Sequence, residues 1–76
     1  MSDTSLKIEE KTQPSLQDAQ IAVGGYVEIV PTGQGQLLVN EEGRIMGLPS
    51  NQEASDLAGQ PICGNALLLK GEARWD

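Results

Sequence analysis

GGYVEIVPTGQGQLLVNEEG, residues 24–43, is the stretch whose reading decides the fold. Tyr26, Val27, Glu28, Ile29 and Val30 alternate and are rich in β-branched side chains, the pattern of a strand. Val27 and Ile29 share one face; Tyr26, Glu28 and Val30 share the other. Pro31 ends the strand, and Thr32-Gly33-Gln34-Gly35 makes a flexible turn. Residues 36–40 (QLLVN) form a second strand, antiparallel to the first because the connection is short. Asn40-Glu41-Glu42-Gly43 reads as a type I turn, with Asn at the first position and Gly at the fourth. Arg44-Ile45-Met46-Gly47 is then predicted to return as a short third strand.

Helices flank this hairpin. Pro14-Ser15-Leu16-Gln17-Asp18 opens the first, with Ser15 as cap and Asp18 three residues on. Leu16, Ala19, Ala22 and Val23 fall on one helical face, and Gly24-Gly25 stops the helix. Ser50-Asn51-Gln52-Glu53 reads as a second capping box, Ser50 being the cap, with Ala54, Leu57 and Ala58 as a narrow apolar face. Gly59 and Pro61 close that helix. Residues 62–70 are the last strand region, strongest at Ala66 to Leu69, where four consecutive apolar residues suit a strand covered on both faces. Gly64-Asn65 marks a bend within it. The predicted fold is therefore α+β: a small antiparallel sheet, made of the hairpin, a short strand and a C-terminal strand, packed by two short helices. Residues 14–70 form one domain. Residues 1–13 are polar and read as a disordered tail, with an edge strand over 6–10 as the alternative. Residues 71–76 form a short tail in which Trp75 is exposed unless it folds back or meets a partner.

Seventy-six residues make one domain with a thin stability margin, and with no Phe, one Trp and one Tyr the core must be aliphatic. A homo-oligomer would relieve that shortage of buried area. Eleven acidic residues against five basic ones give a net charge of −6, which repels phosphate backbones and anionic membrane surfaces alike. Direct nucleic-acid binding and membrane association are not expected. The polar N-terminus does not resemble a secretory signal, and the single Cys63 forms no internal disulfide, so a reducing cytoplasm is the expected compartment.

The chain has no histidine. That removes the commonest general base, a Cys–His nucleophile pair and a Cys/His zinc site. No cofactor is called for, and the chain is read as a non-enzyme. Glu41-Glu42 is the one adjacent acid pair of the folded part, but neighbours in a turn diverge into water, and the spacing is not that of a calcium loop. GQGQ, residues 33–36, lies between strands and lacks the lysine of a phosphate loop. Cys63 reads as a small apolar residue packed beside Ile62. Tyr26 either fills the core, the favoured reading, or offers a stacking platform.

AVGGYVEIVP, LLVNEEGRIMGLPSN and a final G-x-x-LL strand together resemble a small domain family of unknown function. Its members read GGY-[IV]-E-[IV]-V-P, then NEEG, then GLPxN, and occur in bacteriophages, larger viruses and some bacteria. The likeness runs from about Leu16 to Leu69. Gly24, Gly25, Tyr26, Glu28, Pro31, Asn40, Glu41, Glu42, Gly43, Gly47, Leu48, Pro49 and Asn51 stand at the signature positions. The loop after Pro31, Thr-Gly-Gln-Gly-Gln, departs from the pattern. The resemblance implies a virus-type accessory protein acting in a host cytoplasm, with no established activity.

The leading expectation is a non-catalytic module binding a host protein or a small polar ligand. A hairpin turn needs the Asn and Gly of NEEG but not both glutamates, and a helix capped by Ser50 does not need Asn51. Tyr26, Glu28, Asn40, Glu41, Glu42 and Asn51 are thus the candidate binding residues. On that reading Asn51→Ala weakens binding and leaves the melting temperature nearly unchanged. The alternatives are a protein that sequesters a nucleotide-type host defence signal, with Tyr26 stacking on a base, and an acidic mimic of nucleic acid. A small carboxylate enzyme built on Glu28 with Glu41 or Glu42 ranks last.

Overall fold

The computed structural model describes residues 4–75. Residues 1–3 and Asp76, parts of the two expected tails, lie outside the described residues. Strands β1 (Leu6–Glu9), β2 (Val27–Thr32), β3 (Gly35–Asn40) and β4 (Ala66–Leu69) form one sheet, and helices α1 (Leu16–Val23) and α2 (Gln52–Ala58) pack on it. A single 3-10 turn, Gly71–Ala73, follows β4. The chain is a small α+β domain. No helix among the described residues is long and apolar enough to cross a membrane.

The sheet order is β1-β4-β3-β2. The hairpin pairs from Val27 with Asn40 to Thr32 with Gly35, as its alternation demands. β4 runs antiparallel beside β3, and β1 runs parallel on the outer side of β4. The sheet is mixed, then, and not purely antiparallel. Of the two readings of the N-terminal stretch, the edge strand is what residues 6–9 form.

All four residues of β4 are buried, and they alternate between two apolar clusters. Ala66 and Leu68 join Val30, Leu37, Val39 and Ile62 beneath Ala54 of α2. Leu67 and Leu69 join Leu38 beneath Ala19 of α1, together with Ala73 and the ring of Trp75. The helices therefore cover opposite faces of the sheet, which is why β4 has no polar side. Burying each leucine contributes about 2 kcal/mol relative to leaving it in water. Leu16, expected on the apolar face of α1, is instead largely exposed.

Trp75 folds back. Its indole Nε1 donates to the Pro14 carbonyl at 2.9 Å, and its backbone is gripped by the Gln36 carboxamide at both N–H and C=O. The C-terminal stretch is thereby tied to β3 and to the entrance of α1.

Three further expectations are corrected. Residues 41–47 are consecutive turns and not a third strand. The edge of β3 that such a strand would need is already taken by β4, and Gly47 turns the chain with a φ of +72°. Tyr26 lies outside the core, 67% exposed, because it precedes β2 where neither helix covers the sheet. The cap of α2 is Asn51 and not Ser50. Ser50 is held in an isolated bridge with Cys63, so the chain turns into the helix one residue later.

Asn51 is 2% exposed, and every polar atom of its side chain has a partner. Oδ1 accepts from the Ala54 N–H at 3.1 Å. Nδ2 donates to the carbonyls of Ser5 and Gly64, at 3.0 and 2.8 Å. One carboxamide thus starts α2, holds the chain entering β1 and holds the bend before β4. Asn51→Ala leaves the Ala54 N–H and the Gly64 carbonyl without partners, while the Ser5 carbonyl keeps its bond from the Ala66 N–H, and is expected to lower unfolding stability by about 2–3 kcal/mol. Asn51→Asp keeps the cap but cannot donate to the two carbonyls, so urea denaturation should find it at least as unstable. A wild-type midpoint for Asn51→Asp would show that the two donated bonds contribute nothing.

Candidate functional site

The end of the sheet where β2 begins and β3 ends gathers most of the distinctive residues. Asn40, the last residue of β3, is 5% exposed. Its Oδ1 accepts from the Glu42 N–H at 2.8 Å, an Asx turn that fixes the start of the 41–47 segment. Its Nδ2 donates to the Val23 carbonyl at 3.2 Å, one of the carbonyls the end of α1 leaves open. Backbone bonds continue the segment: Gly43 N–H to Asn40 O, Met46 N–H to Glu42 O and Leu48 N–H to Gly43 O. Gly43 presses on the bend before β4, where an added Cβ would lie 2.5 Å from the Cys63 carbonyl oxygen. The segment is irregular but braced from three sides.

What it presents outward is different in kind. Glu28, Glu41, Glu42 and Arg44 are exposed, and among the described residues none of them forms an ion pair. The three carboxylates accept no hydrogen bond from described residues. Ile45 is 85% exposed and Met46 54%. An open cleft of about 160 Å³ is lined by Glu28, Val39, Asn40, Glu41, Arg44 and Ile45 together with residues 60–63. A second groove, of about 290 Å³ and more apolar, runs between the end of α1 and the same turn, with Ile21, Val23, Met46 and Leu48 in its walls.

The six candidate residues are thus divided. Glu28, Asn40 and Glu41 meet at the cleft, Asn40 with its polar atoms already engaged. Tyr26 and Glu42 are exposed nearby but do not line it. Asn51 lies elsewhere as an internal brace, which corrects its reading as surplus to the helix start. Arg44, Ile45 and Gln60 were not singled out as binding residues. Ile45 was hidden by its reading as a strand residue, and Gln60 carries no signal in the sequence. Cys63 is half-buried, with its backbone paired to Ser50. No group of three His, Cys, Asp or Glu side chains among the described residues is placed to hold a metal ion.

The residues at this end of the sheet therefore separate into braces and presented side chains, and stability measurements can tell them apart. Gly43→Ala is expected to lose about 1–3 kcal/mol, since the Cys63 carbonyl has to move. Glu41→Gln and Glu42→Gln should stay within about 0.5 kcal/mol of wild type. Chemical denaturation of the three variants side by side checks the division.

No curated protein and no solved structure gives a significant match to the chain. A family model does, over residues 2–76, so that both terminal stretches fall inside it. The chain belongs to the family described as Domain of unknown function (DUF3846).

Proposed function

We propose that the protein is a non-catalytic accessory binding module, and that it takes a partner protein through the surface formed by Tyr26, Glu28, Glu41, Glu42, Arg44 and Ile45. One observation carries this reading. The 41–47 segment is held in place by Asn40 and Gly43, yet its unbraced side chains point outward: two glutamates without partners and the most exposed large apolar side chain among the described residues. A pre-ordered turn that displays acidic and apolar groups loses little entropy on binding. Fixed loops of this kind are where binding residues concentrate.

The chemistry of the surface indicates the partner. Three exposed carboxylates beside Ile45 and Tyr26, in a chain of net charge −6, favour a basic segment that also carries an apolar side chain. The resemblance to bacteriophage and viral proteins supports a host protein as that partner and a host cytoplasm as the compartment. Cleft walls that mix carboxylates, a guanidinium and a carboxamide suit a small polar ligand as the second choice.

The test is a binding comparison. Wild-type protein and an Ile45→Ser variant are each immobilised and exposed to host lysate, and the retained partner is then measured by calorimetry. Ile45→Ser should fold normally and bind about tenfold more weakly or worse, as loss of a central apolar anchor does. Glu41→Gln with Glu42→Gln should weaken binding chiefly at low salt, since exposed carboxylates act through screened attraction. A partner retained equally by all variants would refute the assignment of this surface. A nucleotide recovered by mass spectrometry in place of a protein would favour the sequestering alternative.

A further inference from the structure

β2 is an edge strand, and its outer side is open. The direction of its backbone groups follows from the hairpin register. The Tyr26 carbonyl accepts from the Glu41 N–H at 2.8 Å, and residues bonded across an antiparallel pair alternate with unbonded ones. With Val27 opposite Asn40 and Thr32 opposite Gly35, the pairs bonded to β3 are Glu28 with Val39, Val30 with Leu37 and Thr32 with Gly35. The N–H and C=O of Val27 and Ile29, and the C=O of Pro31, therefore face away from the sheet. No described residue bonds to them. Ile29, in the middle of this row, is 45% exposed.

We infer that β2 pairs with β2 of a second copy, antiparallel about a two-fold axis at Ile29, and joins two four-stranded sheets into one. This register is set by two features of the strand. The first is Pro31. A proline on an edge usually blocks pairing because it has no N–H. About Ile29, however, Pro31 falls opposite Val27 of the second copy and is needed there only as an acceptor. Ile29 exchanges both backbone bonds with its own copy, and each Val27 N–H donates to the Pro31 carbonyl across the axis. The second feature is Glu28. A slip that set Val27 opposite Ile29 would form as many backbone bonds but would place the two Glu28 carboxylates directly opposite each other, an unfavourable like-charge pair. The axis at Ile29 sets each Glu28 against Val30 instead. It also covers Ile29 with Ile29, and Val27 with Pro31, on the side of the sheet that carries α1.

The axis runs perpendicular to the sheet, so both copies keep the same faces. The two clefts lined by Glu28 and Arg44 then lie on one side of the joined sheet. That arrangement allows a partner with repeated basic segments to engage both at once, with a gain from effective concentration. The pairing itself does not depend on what those clefts bind.

Sedimentation equilibrium of the full chain is expected to give twice the 8.1 kDa monomer mass at high concentration. Ile29→Lys and Ile29→Pro should both give monomers with unchanged far-ultraviolet dichroism, since the first alters an exposed side chain and the second removes only an outward N–H. In a Cys63→Ser background, Ile29→Cys should oxidise to a covalent dimer, because a bonded antiparallel pair holds its Cα atoms about 5.5 Å apart, within disulfide reach. Pro31→Cys should not, since position 31 faces position 27. A wild-type chain monomeric at every concentration would overturn the inference. So would a dimer that survives both Ile29 changes, or a covalent dimer through position 31 and not 29.

Discussion

A single carboxamide holds this domain's ends to its middle. The sheet places β4 at its centre, yet β4 comes last of the strands in the chain, and its two neighbours come from residues 6–9 and 35–40. Nothing local brings these segments together. The Asn51 side chain does so from the start of α2, with one bond to the entrance of β1 and one to the bend before β4. It works because Asn carries both donors and an acceptor on one rigid plane; Asp or Ser lacks the paired donors and Gln misplaces them. With the Asn51 side chain 2% exposed and Gly64 buried, the bond to the Gly64 carbonyl is hard to replace.

Asn40 performs the corresponding task at the other helix. It closes the end of α1 and orders the turn that leads away from β3. The two asparagines divide the polar work of a domain with almost no aromatic residues. The apolar clusters on the two faces are small and purely aliphatic apart from Trp75, so their packing has little directional preference. Register and helix placement must come from groups that do have direction, and these are the two side-chain amides together with the Gln36 grip on Trp75. A domain this small stays within a few kcal/mol of unfolding, and such fixed bonds decide which compact arrangement wins.

This division also explains what could be read from the amino-acid order alone. The hairpin, both helices and the buried run at Ala66 to Leu69 are written in local periodicity and stop signals, which act over a few residues and need no tertiary knowledge. β1 was a second choice because LKIE is half charged; only the parallel partner in β4, some sixty residues away, makes it a strand. The expected strand over residues 44–47 failed for the converse reason, its place in the sheet being taken by a segment the local pattern cannot see. The asparagines misled in a particular way. A polar residue beyond what a turn requires looks like a ligand contact, and a buried brace looks the same in one dimension.

Exposed acids around a fixed turn raise the question of why the domain accepts an open edge at all. Acidic charge is itself one answer: with a net charge of −6, copies repel at long range and meet only where close contacts outweigh that repulsion. β2 offers such contacts over three residues and withholds them beyond. Pro31 limits the pairing on one side, and on the other the Gly25 N–H is already bonded to the Gln20 carbonyl. A short, interrupted edge restrains open-ended aggregation while leaving room for one defined pair. Gly25 and Pro31 thus fix how the sheet ends, as Asn40 and Gly43 fix what the turn displays.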